Sequence, residues 1–134
     1  MLFRSDEVWN QGRLAAAAEL FAPTFRDTDA PADVPPGPLG VQEFVALNLR
    51  RFPDLHYTLD ELIAEGDQVA AVWTAAGVNT GDLGHRGGPP IAPTGKRVTW
   101  RGVTIFRLAD GQIVAYHMHQ NLLGVFRELG LALT

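Results

Sequence analysis

The chain has no cysteine among its 134 residues, which excludes disulfide frameworks, thiolate metal sites and cysteine-based redox chemistry. Basic residues are also too few and too scattered to form a nucleic-acid surface: 11 Lys and Arg stand against 15 Asp and Glu, a formal net charge of −4. Long apolar runs are missing, and the N-terminus lacks the charged-then-apolar order of a signal peptide. Neither a membrane partner nor export is therefore expected, and the expected location is cytoplasmic. No cofactor-binding or phosphate-binding motif occurs, so no cofactor is expected. What the chain does have is 46% hydrophobic residues, enough for one real core, and residues 1–134 are read as a single domain.

Helical spacing comes first along the chain. Val8, Trp9, Leu14, Ala17, Ala18 and Phe21 fall on one stripe interrupted by Asn10-Gln11-Gly12, which predicts two helices joined by a turn, the second ended by Pro23. A short strand is expected over Thr24 to Thr28, followed by a loop through the Pro-rich stretch from Ala30 to Pro38. A third helix is expected from about Val41 to Phe52-Pro53-Asp54, with Phe44 and Leu47 facing inward. After Pro53 the period changes to two: strands are expected over Leu55 to Leu59, Ile63 to Glu65, Gln68 to Val78, Arg97 to Leu108 and Gln112 to Gln120. Asp110-Gly111 marks a tight hairpin, Thr80 to Gly95 is too rich in Gly and Pro for anything but an exposed loop, and a last helix over Leu122 to Leu129 ends at Gly130. Helices followed by a run of antiparallel strands predict an α+β domain whose sheet curls over the helices.

Several segments, in order, carry a resemblance: Glu7-Val8-Trp9-Asn10-Gln11-Gly12, Leu20-Phe21-Ala22-Pro23, Phe52-Pro53-Asp54-Leu55, Ala64-Glu65-Gly66-Asp67 and Pro93-Thr94-Gly95-Lys96-Arg97-Val98. Phe106 to Val114 and Leu122 to Gly130 complete it. The chain resembles the SnoaL-like polyketide cyclases and ester cyclases of the NTF2-like superfamily, nearly end to end. The resemblance implies a cone of strongly curved mixed sheet on N-terminal helices, an internal apolar pocket, a homodimer, and cofactor-free intramolecular aldol chemistry driven by a pocket Asp. It equally implies alternatives, since relatives hydroxylate, hydrolyse epoxides or only bind ligands, and fold does not fix chemistry. Relatives begin further upstream than Met1-Leu2-Phe3-Arg4, so a shortened N-terminus is expected.

The candidate site lies at the end of the last strand. Alternation puts His117, His119 and Asn121 on one face and Tyr116, Met118 and Gln120 on the other. Relatives carry Asp where Asn121 stands, and an amide cannot exchange a proton near neutral pH. Acid/base work therefore falls to His117 or His119, with Asn121 as donor to a developing oxyanion. The plainer account, of equal weight, makes them polar lining of a pocket or a dimer face. Two histidines without a third ligand make no metal site, so no metal is expected. His56 and His85 are assigned no catalytic role, and Asp27 and Asp29 are read as loop caps. Trp9, Phe25, Phe44, Leu47, Trp73 and Trp100 are the expected lining for an apolar or aromatic small molecule. The stretch Gly81 to Pro93, longer than relatives lead one to expect, is read as tolerated surface variation ahead of a lid.

Overall fold

The structure is a computed structural model, described here for residues 8–11, 13–28, 30, 33–84 and 89–131. Its elements are α1 (Ala17–Leu20), preceded by a 3-10 turn over Leu14–Ala16, then β1 (Phe21–Asp27), α2 (Pro38–Arg51), β2 (His56–Glu65), β3 (Gln68–Val78), β4 (Arg97–Ala109), β5 (Gln112–Gln120) and α3 (Leu122–Leu129). The five strands form one sheet in the order β1-β5-β4-β3-β2. β1 runs parallel to β5 and the other pairings are antiparallel, so the sheet is mixed and β1 and β2 are its edges.

Local chemistry explains the boundaries. The N-terminal segment has a helical end at Val8 and Trp9, a turn at Asn10 and Gln11, and then only the short α1; the expected positions 5–7 and 12 lie outside the described residues. Phe21, expected on the helical stripe, instead opens β1, and Pro23 sits inside that strand, which its edge position permits. α2 starts three residues before the expected Val41 because Pro38 occupies its first turn, where no backbone N–H is needed. Gly37 precedes it at φ 76°, a conformation that disfavours any side chain; a Cβ there would also lie 2.7 Å from the Pro23 carbonyl. The two strands expected between Leu55 and Glu65 are one strand, β2, with a register shift between Leu59 and Glu61. Asp110 and Gly111, at φ 51° and 77°, make the two-residue hairpin turn, and Gly130 ends α3 in the left-handed conformation.

The inner face of the sheet holds the core. Along β4, Val98, Trp100, Gly102, Thr104 and Phe106 are buried and alternate with exposed residues. α1 and α2 cover one half of this face, where Leu20, Val41 and Val45 join Phe21, Phe25, Phe106, Ile113 and Tyr116. α3 covers the other half, where Val125 and Leu129 join Phe52, Trp73, Val98 and Trp100. Leu49 and Met118 pack against both groups and mark the seam between them. The long connection after β3 is tied at its neck by the fully buried Asn79. Its amide donates to the carbonyls of Arg51 and Gly81 at 3.0 and 2.9 Å, and its Oδ1 accepts from the Thr94 N–H and hydroxyl at 2.7 and 3.0 Å. No helix among the described residues is long and apolar enough to cross a membrane.

Candidate functional site

The expected trio does not meet on the inner face. In β5, Tyr116 is buried and pairs with the buried Phe106, whereas His117 and His119 are exposed and pair with Ile105 and Val103, which point the same outward way. Alternation correctly groups the two histidines; their polarity and the apolar character of Tyr116 and Met118 send them outward, and a register shift in the β4–β5 ladder turns Ile113 to the inner side with Tyr116. His117 Nδ1 lies 2.7 Å from the Thr28 hydroxyl beside the β1 edge. Asn121 is not a strand residue at all. It is the N-cap of α3, and its Oδ1 accepts from the Gly124 N–H at 2.9 Å, a capping role that turns the side chain towards its own helix.

Among the expected lining residues, Trp9, Phe44 and Trp73 converge on one partner that the sequence reading left out, Tyr57. The Trp9 ring lies edge-on 5.7 Å from both Phe44 and Tyr57, and Trp73 lies 5.2 Å from Tyr57 on β2. The Trp73 indole N–H donates to the Thr104 hydroxyl at 2.9 Å. Trp100 sits further along the same face against Phe52 and donates to Gln120 Oε1 at 3.0 Å. Leu47 is half-buried on α2. Phe25 lies apart from this group, packed between Phe21 and Tyr116 at 4.8 and 5.0 Å.

Two phenols and a carboxylate bring polar chemistry into this aromatic interior. Burial raises the Tyr57 phenol well above its ordinary range, opposed by a hydrogen bond with the Asn48 side chain. Burial raises the Tyr116 phenol likewise, and the negative charge of Asp27 and the neighbourhood of Tyr57 raise it further. Asp27 is half-buried at the end of β1, directly across the parallel ladder from Tyr116. The carboxylate expected as a loop cap thus sits in register with a buried phenol. Its nearest clue in sequence was its spacing of two from Phe25 within β1, which puts it on the inward side that Phe25 occupies. Asp29 and His85 lie outside the described residues, and His56 is exposed. Among the described residues no cluster of three His, Cys, Asp or Glu side chains is arranged to hold a metal.

The raised phenols carry a sign that stability measurements read. Both stay protonated in the folded chain above pH 10, where unfolded tyrosines lose their protons, so folding binds protons there and stability falls as pH rises. The chain has only two tyrosines, so the slope of unfolding free energy should reach about 2.7 kcal/mol per pH unit from this source. Denaturant unfolding between pH 9 and 11 checks it, and Tyr116→Phe should halve the tyrosine contribution.

Comparison with known proteins agrees with this architecture. Among curated proteins no sequence match was found. TsrD from Streptomyces laurentii superimposes with a TM-score of 0.83 at 26% identity, covering 98% of this chain and 92% of that one. A proposed SnoaL-like polyketide cyclase from Jannaschia sp. CCS1 gives 0.79 at 27% identity, over 98% and 90% of the two chains. AclR, a proposed hydroxylase from Streptomyces galilaeus, gives 0.72 at 26% identity, over 92% and 87%. The sequence pattern of one family matches residues 1–129, and with the helix-covered mixed sheet already described the chain belongs to the SnoaL-like polyketide cyclases, with the NTF2-like α+β fold.

Proposed function

We propose that this protein catalyses proton transfer next to a carbonyl group of an apolar, aromatic or polyketide-like compound, leading to intramolecular aldol closure. The observation that carries the proposal is the half-buried Asp27 in register with the buried Tyr116, close to Tyr57 and the aromatic wall of Trp9, Phe44 and Trp73. Asp27 takes the proton from carbon, and the electron pair of the broken C–H bond passes into an enolate. Tyr116 and Tyr57 donate hydrogen bonds to the enolate oxygen. The enolate carbon then bonds to a second carbonyl carbon, whose oxygen takes the proton back from Asp27. Phenols kept protonated by burial suit that donor role. The Asn48 contact favours the ionised form of Tyr57, as a bond donated to the phenol oxygen does, and leaves the hydroxyl proton for a ligand. No electron leaves the substrate in these steps, so they call for no redox partner.

Deuterium exchange into aromatic 1,3-diketones tests the proposal. Wild type should accelerate exchange and Asp27→Asn should not; exchange at the solvent rate with wild type overturns it. The likeness to AclR favours a second reading, oxygenation of a similar compound, and oxygen uptake with the same diketones separates the two.

A second copy of the chain fits the outer face of the sheet. Val103 and Ile105 are 37% and 38% exposed at its centre, with Ile63 on β2 exposed to 62%. In the row through Val103, the ladder places Glu61 on the edge strand β2 and His119 on β5, past the stretch that pairs with β1. A two-fold axis along the strands would bring each Glu61 over the partner's imidazole edge, a self-complementary arrangement. Ile105→Glu should convert a dimer to a monomer at micromolar concentration in sedimentation equilibrium, whereas a monomeric wild type would remove this part of the proposal.

A further inference from the structure

We infer that Asn10 is a positioning residue, whose carboxamide holds Tyr57 in the interior by closing the free edge of β2. The inference rests on the reading of Tyr57 as a hydrogen-bond donor to substrate, and it explains a residue that reading leaves unused, Asn10 in the turn after the N-terminal helical end.

β2 pairs with β3 on one side only. An edge strand leaves alternate residues with both backbone groups facing away from the sheet, and Tyr57 is one of these. Its N–H donates to Asn10 Oδ1 at 2.6 Å, and its carbonyl accepts from Asn10 Nδ2 at 2.9 Å. A carboxamide presents the same donor and acceptor pair as a peptide group, so Asn10 stands in for one residue of a missing neighbouring strand. The preceding residue packs the other end of Tyr57: the Trp9 ring lies 5.7 Å from the phenol ring, and Trp73 closes it from β3 at 5.2 Å. Backbone and ring of one residue are thus gripped by two consecutive side chains of one turn.

The grip is local. Without it the edge of β2 is free to splay at Tyr57, the Trp9 turn loses its anchor, and water reaches the phenol. The pairing of β3 with β4 lies on the other side of β3 from this edge, and the rings that pack on Tyr116 are those of Phe21, Phe25 and Phe106. Asn10 therefore controls the hydration of one phenol and not of the other.

The chain's two tyrosines make this measurable without a substrate, so failure here is distinct from failure of proton abstraction by Asp27. In protein labelled at the tyrosine ζ carbon, two carbon resonances are followed from pH 8 to 11.5, with Tyr57→Phe supplying the assignment. Neither signal should titrate fully in wild type. In Asn10→Ala the Tyr57 signal should titrate at roughly pH 10 to 11, near an ordinary phenol, while the Tyr116 signal stays as in wild type. Asn10→Asp keeps the size and the acceptor, loses the donor, and sets a carboxylate against the Tyr57 carbonyl. It should release Tyr57 as well, and it serves if the alanine variant does not fold. Asp54→Ala removes a cap on the Val78 N–H in the neighbouring strand, 2.8 Å in the structure, and should leave both signals in place. The inference is overturned if Tyr57 stays silent in both Asn10 variants, or if Asp54→Ala releases it to the same extent.

Discussion

Asp27→Asn should lower the turnover rate for proton removal from a carbonyl substrate by about 10²- to 10⁴-fold with little change in KM. The amide keeps the size and planar shape of the carboxylate and leaves the β1–β5 ladder intact, since that pairing uses backbone groups. It cannot accept the carbon-bound proton. A loss confined to kcat is the signature of an interaction made in the transition state, whereas a merely structural aspartate would show its loss in stability and in KM. Tyr116→Phe should cost about 10²- to 10³-fold, the usual effect of removing one donor from an oxyanion site. The two losses should not add, because base and donor act on the same enolate. His117→Ala and His119→Ala should leave turnover unchanged, as both rings lie on the opposite face of the sheet. Full activity of Asp27→Asn, with loss in either histidine variant, would return proton transfer to the imidazoles. The rates of all four variants on one 1,3-diketone decide the matter.

How far the sequence could be read depended on which physical signal each residue carried. The hairpin at Asp110-Gly111 and the end of α3 at Gly130 were legible because positive φ admits few residue types there, and the structure has both. The alternation of β5 was legible too, and it correctly paired His117 with His119 against Tyr116 with Met118. Period two, however, says only that two sets lie on opposite faces; which set is inward depends on what the sheet packs against. Tyr116 and Met118 argue for their own set, but strict alternation places Ile113 with the histidines, and only the register shift in the β4–β5 ladder, which no local pattern encodes, turns it inward. Asn121 could have been recognised as a cap, since Asn before Leu122-Leu123 and a helical run is a helix-start signal. Tyr57 was harder to find. Its importance comes from Trp9, Asn10 and Asn48, which lie 48, 47 and 9 residues away in sequence: Asn10 meets its backbone at the free edge of β2, and Trp9 and Asn48 meet its side chain. Asp27 was obscured by the turn-like composition around it, yet its register with Tyr116 depends on a parallel pairing that no local pattern encodes.

Gly102→Ala should be among the most destabilising single-methyl changes in this chain, costing about 3 kcal/mol and lowering Tm by roughly 10 °C. Gly102 faces Trp73 directly across the β3–β4 ladder, and the indole lies flat over the space a side chain would fill. A Cβ at residue 102 would come within 2.5 Å of two ring carbons and within 2.9 Å of a third. Retreat is blocked because Trp73 is only 7% exposed, has Tyr57 5.2 Å away, and donates its N–H to the buried Thr104 hydroxyl. Displacing the ring therefore adds overpacking to the loss of a buried hydrogen bond, and it also disturbs the aromatic wall around Tyr57. A glycine within a strand ordinarily weakens it; here the tryptophan covers the exposed backbone and makes the pair a unit. A double-mutant cycle isolates that unit. In a Trp73→Leu background, whose own cost is separate, Gly102→Ala should cost about 1 kcal/mol or less, because the clashing atoms are gone. Equal destabilisation in both backgrounds, measured by thermal or denaturant unfolding, would locate the cost in the β4 backbone and leave Trp73 free of any constraint from residue 102.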